Sequence, residues 1–264
     1  MSTPLSVQLY SLRDSMAKDF DGTLRRVAEI GYAGVETAGF PGTTARAARQ
    51  LCDDLGLKVS SCHGPAPVGA TRQEALDLAA DLGLSRLVLP FYDPAQFQSV
   101  DGVYGVADHL NAAAAEAKAA GLRFGYHNHW FEFAPINGKP AFEYLLERLS
   151  PDVEFELDLY WAKVGGQDPN ALIKRLGDRV PLLHVKDGPA TGYEAAMGAA
   201  TLSGKDLQSY REQLQSLVDR LRGGVAISEA GAETLWLSGP GGIISRSRST
   251  RFAGAGSLRI FPGT

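Results

Sequence analysis

Several common classes are excluded by what the chain has little of. Two cysteines, Cys52 and Cys62, in 264 residues are too few for a disulfide framework or a thiolate zinc cluster. Reduced thiols in a cytoplasm are the expectation. No stretch approaches the run of about 20 apolar residues that a membrane-spanning helix needs. The opening Met-Ser-Thr-Pro-Leu-Ser-Val-Gln-Leu-Tyr also lacks the basic region and apolar run of a secretory signal, so no membrane association is expected. Positive charge is not in excess: 26 Lys and Arg against 30 Asp and Glu leave a net charge of -4. A phosphate backbone would find no electrostatic footprint, and nucleic acid is not an expected partner. No glycine-rich phosphate loop of the Walker or dinucleotide type is present, which leaves nucleotide chemistry unsupported.

What is present is the pattern of an α/β protein. With 44% hydrophobic and 21% charged residues the composition is that of an ordinary globular domain. The length suits one (β/α)8 barrel, which takes about 250 residues. Apolar runs of strand length alternate with amphipathic stretches of helix length, the rhythm of βαβ units and a parallel sheet. Strands are expected at 5–9, 34–36, 57–62, 86–90, 122–127, 153–159 and 180–185, with an eighth at 225–227. Helices are expected at 21–30, 43–55, 71–82, 103–120, 142–149, 169–176 and 207–221. Gly31, Gly56, Gly83 and Gly121 each follow a helix and precede a strand, which predicts a left-handed glycine in each αβ loop. The rhythm fails after Gly231. The expected organisation is a barrel domain over 1–230 and an irregular Gly/Ser/Arg-rich tail over 231–264.

In such a barrel the active site lies at the C-terminal ends of the strands, so polar residues there are the candidates. They are Gln8 and Tyr10 after strand one, Glu36 after two, His63 after three, and His127, His129 and Glu132 after five. Strand six supplies Glu156 and Asp158, and strand seven His184, Lys186 and Asp187. Period-two alternation in Phe155-Glu156-Leu157-Asp158 puts both carboxylates on one face. Inside a barrel they call for a cation, a polar network or a salt bridge to arginine or lysine. Asp158, nearer the strand end, is the better ligand of the two. His184 fits either a metal ligand or a hydrogen-bonded core histidine, and Lys186 on the same face would donate a proton or bind an oxyanion. In Tyr126-His127-Asn128-His129-Trp130-Phe131-Glu132 the histidines are either ligands or supports behind one. The aromatic residues there, with Trp161, fit a wall against a sugar ring. Glu36 and His63 are weaker candidates, because single polar residues end strands in any barrel.

Five motifs in order resemble the xylose isomerase-like barrels of sugar phosphate isomerases and epimerases, whose superfamily includes inosose dehydratases and hydroxypyruvate isomerases. They are Gln-Leu-Tyr-Ser-Leu-Arg-Asp at 8–14, Ile-Gly-Tyr-Ala-Gly-Val-Glu at 30–36, Gly-Tyr-His-Asn-His at 125–129 with Glu132, Glu-Leu-Asp-Leu-Tyr-Trp at 156–161 and Leu-His-Val-Lys-Asp at 183–187. The resemblance implies one divalent ion (Mn, Mg, Zn or Co) held by two glutamates, an aspartate and a histidine. Glu132, Asp158 and His184 fill three of those places. The sequence departs from the family at strand eight, where Glu229 is the only reasonable fourth ligand.

The resemblance implies proton transfer α to the carbonyl of a ketose or keto-polyol through an enediolate, with Glu132, Lys186 and Glu229 as catalytic groups. Gln8, Tyr10, Glu36, His63, His127, His129, Trp161, Lys186 and Asp187 would contact the sugar. A dehydratase or lyase on an inosose or 3-keto-glycoside is the alternative reaction, and a non-catalytic sugar- and metal-binding barrel the alternative class. A related three-metal DNA-repair barrel would want more than five histidines and a basic surface. A homo-oligomer is compatible with the sequence, which does not specify one.

Overall fold

The computed structural model describes residues 5–184 and, beyond them, the backbone of Ala226–Ile227, Leu235–Leu237 and Phe252–Ala253. Eight parallel strands form one sheet: β1 (Leu5–Gln8), β2 (Gly34–Thr37), β3 (Lys58–Cys62), β4 (Arg86–Leu89), β5 (Arg123–His127), β6 (Val153–Asp158), β7 (Leu182–His184) and β8 (Leu235–Leu237). Their order is β3-β2-β1-β8-β7-β6-β5-β4. The two ends of that order meet at one parallel bridge between His63 and Val88, where Gly64 N–H donates to the Val88 carbonyl at 3.0 Å. The sheet therefore closes on itself as a (β/α)8 barrel.

The helices among the described residues are α1 (Arg13–Lys18), α2 (Phe20–Ile30), α3 (Ala45–Asp54), α4 (Arg72–Leu82), α5 (Val100–Ala119), α6 (Ala141–Arg148), α7 (Leu159–Val164) and α8 (Pro169–Leu176). Sequence causes are visible in each of the longer ones. Asp19 accepts from Gly22 N–H to cap α2, and Phe20, Leu24 and Val27 bury its inner face. The inner face of α5 is Val103, Val106, Ala107, Leu110, Ala113, Ala114 and Ala117, all buried. Its alanines let the helix lie close on its neighbours, and burying a side chain such as Leu110 contributes about 1.5–3 kcal/mol. The four loop glycines named above all have positive φ, 91°, 70°, 64° and 75° for Gly31, Gly56, Gly83 and Gly121.

Two apolar clusters fill the space between barrel and helices. One joins β1 and β2 to α1, α2 and α3 through Val7, Leu24, Val27, Val35 and Cys52. The larger joins β4, β5 and β6 to α4, α5 and α6 through Leu87, Leu110, Phe124, Leu145 and Phe155. On the barrel floor Arg86, the first residue of β4, donates to Glu154 of β6 at 2.6 Å, with Arg123 3.7 Å from the other carboxylate oxygen.

The eighth strand is a correction. It is not 225–227: Ala226–Ile227 pairs antiparallel with Phe252–Ala253, apart from the barrel sheet. The place between β7 and β1 goes to Leu235–Leu237, which pairs Leu5 with Leu235 and His184 with Trp236. A parallel barrel strand is covered on both faces and favours a continuous run of large apolar residues. Leu-Trp-Leu is such a run, whereas Val-Ala-Ile runs into Ser-Glu. The helix expected at 207–221 lies outside the described residues. Short α1 and α7, and a two-residue hairpin ladder between Pro135–Ile136 and Lys139–Pro140, had no counterpart in the sequence reading.

Candidate metal centre at the strand ends

Alternation along β6 places Glu154, Glu156 and Asp158 on one face, at successive heights from the floor to the mouth of the barrel. Each finds a different environment. Glu154 meets the floor arginines, whereas Glu156 meets imidazoles. One oxygen of Glu156, Oε2, lies 2.6 Å from His63 Nε2, 3.0 Å from His127 Nδ1 and 3.1 Å from His184 Nε2. Three strands thus converge on one carboxylate. The pairing explains it: His127 is the cross-strand partner of Glu156, and His184 that of Asp158.

Glu36 of β2 closes the group from the far side. Its Oε1 is 3.0 Å from His184 Nε2 and 3.1 Å from His63 Nε2, and its Oε2 accepts from Ser61 Oγ at 2.5 Å. Gln8 lies behind His63, with Nε2 3.1 Å from the imidazole Nδ1. The Gln8 Oε1 accepts from the backbone N–H of Tyr10.

Burial sets the electrostatics. Taking Glu156 out of water would raise its pKa, but the charge of His184 first and the imidazole hydrogen bonds with it outweigh that and hold it well below the ordinary value. Burial opposes the charged form of His184, yet Glu156 and Glu36 raise it to about 10. His127 goes the other way: burial holds it well below the usual imidazole range against its bond to Glu156. Glu36 is raised, by burial first and by the charge of Glu156 second. The centre is thus one carboxylate–imidazolium pair flanked by groups that favour their neutral forms.

Single ligand atoms of His63, His127, Glu156 and His184 lie within 4.8 Å of one another. Imidazole nitrogens with a carboxylate oxygen form a donor set suited to zinc, manganese or cobalt. The second Glu156 oxygen, Oε1, is buried with no hydrogen-bond partner among the described residues, and so is His184 Nδ1. Donor chemistry and orphaned buried atoms both fit a divalent cation.

Glu132 and Asp158 stand beside this group. Glu132, in a turn after β5, is fully buried and accepts from the Tyr126 hydroxyl at 2.6 Å and from His129 N–H at 2.9 Å. Burial raises it to about 8 despite those bonds, and the charge of Asp158 pushes in the same direction. Asp158, expected as the better ligand of β6, caps α7 by accepting from Trp161 N–H at 2.9 Å. Asn128 ties the two strand ends together: its Oδ1 accepts from Asp158 N–H at 2.9 Å and its Nδ2 donates to the Asp158 carbonyl at 3.2 Å.

Of the sequence candidates, Gln8, Glu36, His63, His127 and His184 come together in one centre, with Glu132 and Asp158 adjoining. His129 lies next to it, its ring centroid 5.1 Å from that of His127 and 5.9 Å from that of Trp161. Tyr10 is on the rim, 59% exposed, with the Arg13 guanidinium 4.6 Å over its ring. Phe91, 48% exposed after β4, packs edge-on against His129 and Phe131 and was not singled out from sequence. Neither was Glu156 as a ligand, although the alternation of 154, 156 and 158 marks it. Lys186, Asp187 and Glu229 lie outside the described residues.

The comparisons with known proteins agree on the family and the fold. A family model described as xylose isomerase-like TIM barrel matches residues 24–220. A sugar phosphate isomerase/epimerase from Parabacteroides distasonis is 30% identical, with a TM-score of 0.61 over 71% of this chain and 76% of its own. A second of that description from the same organism is 25% identical, with a TM-score of 0.61 over 80% and 86%. The probable 3-DHS dehydratase AsbF from Bacillus anthracis, 14% identical with a TM-score of 0.56 over 73% and 76%, shares the fold. No curated protein matches the chain. No helix among the described residues is long and apolar enough to cross a membrane.

Proposed function

Because the chain belongs to the xylose isomerase-like TIM barrel family, we propose that it is a divalent-metal-dependent sugar isomerase or epimerase. Its substrate on this reading is a ketose or keto-polyol, phosphorylated or not, and the reaction moves a proton α to the carbonyl. The observation that carries the reading is the buried imidazole–carboxylate group at the C-terminal ends of the strands, where this fold places its chemistry.

His127, Glu156 and His184 would hold the ion, with His63 beside them. A divalent ion there supplies Lewis-acid polarisation of a carbonyl oxygen. The residues of the chain supply the rest. Glu132, raised to about 8, is mostly protonated at neutral pH yet within about one pH unit of its midpoint, so both of its forms are accessible to a carboxyl that takes and returns a proton at its Oε atoms. The Tyr126 hydroxyl and His129 N–H hold that carboxyl in place. Rings of His129, Trp130 and Trp161 form an apolar wall beside it, suited to the face of a sugar and to keeping water from the acidified carbon. By the same reading Lys186 steadies an oxyanion, Asp187 hydrogen-bonds hydroxyls, and Tyr10 covers the bound sugar from the rim.

One observation favours a second ligand set that shares His184. His184 Nδ1 is the atom without a partner among the described residues, and the carboxylates of Glu132 and Asp158 are near enough to each other to interact electrostatically. These with Glu229 make the set that the family resemblance implies. Metal content of the purified protein with Glu156→Gln, Asp158→Asn and Glu229→Gln separates the two. Loss in Glu156→Gln alone supports the first set, and loss in the other two supports the second. A parent that binds no divalent ion ends the metal-dependent reading. A parent that binds one but neither isomerises nor dehydrates any ketose or inosose tested is a binding barrel.

A further inference from the structure

The four ligand atoms grouped at the centre are not equivalent, because one of the imidazoles has its proton assigned by a neighbour. Tyr10 N–H is a donor without choice, and it points at the Gln8 amide. The atom facing it must be the amide oxygen. The other end of the amide, the NH2, then faces His63 Nδ1 at 3.1 Å. Two donors cannot share that contact, so His63 Nδ1 is bare and accepts. The ring proton is left on Nε2, where it meets Glu156 Oε2 at 2.6 Å and Glu36 Oε1 at 3.1 Å.

We infer that Gln8 is a positioning residue that locks His63 in the Nε2–H tautomer, so that His63 serves the centre as a hydrogen-bond donor to Glu156 and not as a metal ligand. A nitrogen must be bare to bind a metal. For Nε2 to become so, the proton would move to Nδ1 and the Gln8 amide would turn over, setting its NH2 against Tyr10 N–H. His184 is under no such constraint among the described residues, since its Nδ1 has no partner there. Nor is His127, whose Nε2 faces the Asp158 carboxylate at 3.7 Å. The ligand half of this inference rests on the metal reading above, and the tautomer half does not.

The test begins with side-chain NMR of metal-free protein carrying 15N-histidine, with the His63 signals identified by their loss in His63→Gln. The expected spectrum has a bare Nδ1 and a protonated Nε2. In Gln8→Glu one carboxylate oxygen still accepts from Tyr10 N–H while the other can only accept from His63, so Nδ1 is expected to gain a proton while Nε2 keeps its own. A protonated Nδ1 in the parent overturns the lock whether or not the Gln8 variant folds, as does an unchanged His63 pattern in a folded Gln8→Glu. The second measurement titrates Co2+ into parent, His63→Gln and His184→Gln. His63→Gln is expected to keep the stoichiometry and the Co2+ absorption bands, with affinity weakened about tenfold to hundredfold, as for removal of a group that supports a ligand. His184→Gln is expected to lose the ion. Loss of the ion from His63→Gln as complete as from His184→Gln overturns the ligand half. If the parent takes up no Co2+, the metal reading has failed and the spectrum alone decides the tautomer.

Discussion

Arg86 and Glu154 form a buried ion pair, 2.6 Å from Nε to Oε2, on the floor of the barrel beneath the imidazole centre. Neither charge has much water, so each is held by its partner, with Arg123 as a longer contact. Removing one partner leaves a buried charge, which costs about 3–5 kcal/mol, whereas replacing both by apolar residues of similar volume is often neutral. Arg86→Met is therefore expected to lower unfolding stability by that amount, and Arg86→Met with Glu154→Leu to recover most of it. Urea denaturation of the two variants and the parent checks both.

Burial and charge also make the centre pH-dependent. His184 is raised to about 10 in the folded protein, above its unfolded value of about 6.5. Its stabilisation is complete below the unfolded value and is lost as pH rises through the folded one. Glu132, raised to about 8, acts with the same sign, because the fold favours its protonated form. Metal-free protein should melt at a lower temperature at pH 9 than at pH 6. Divalent ion binding should strengthen over the same range, since ligands bind deprotonated. Thermal melts with and without Co2+ at the two pH values check this, and His184→Gln should flatten the metal-free trend.

Asn128 spans β5 and β6 with hydrogen bonds to the backbone N–H and carbonyl of Asp158. Asn128→Ala leaves that buried N–H without a partner, at a cost of about 1–3 kcal/mol. It also frees the end of β6 that carries Asp158 and the start of α7. The variant is expected to bind Co2+ more weakly than the parent and to melt earlier, read by calorimetry and circular dichroism.

Both thiols are inert by position. Cys62, pushed up to about 12, and Cys52, pushed up to about 11, are buried, and the thiolate is the reactive form. Native protein at pH 8 should show no reaction with a disulfide reagent over minutes, and both cysteines should react in denaturant.

Much of the fold was legible because it is local. The 3.6-residue period and the four glycine stops place α2, α3, α4 and the loops after them within a residue or two, since each depends only on its own few turns. β8 was misplaced because a three-residue strand has no period of its own; its position depends on β1 and β7, far away in the chain. The centre divides in the same manner. Strand-end polarity found Gln8, Glu36, His63, His127 and His184. Distance from the strand end favours Asp158 over Glu156 as a ligand, while the structure sets Glu156 among three imidazoles and Asp158 at the cap of α7. Glu154 and its arginines lie near the strand starts, away from the C-terminal ends where a barrel carries its active site, so strand-end polarity does not mark them.

The barrel wall closes at a single bridge, and the residue that makes it, His63, also sends its imidazole into the centre. Seam and site are therefore one residue. With β3 and β4 apart, the carboxylate of Glu156 has no His63 to meet, so an intact seam is a condition of an intact centre. Any fluctuation that parts the seam should disturb the imidazole network at once, and slow hydrogen exchange at Gly64 N–H, the amide that bonds across it, would report the integrity of both.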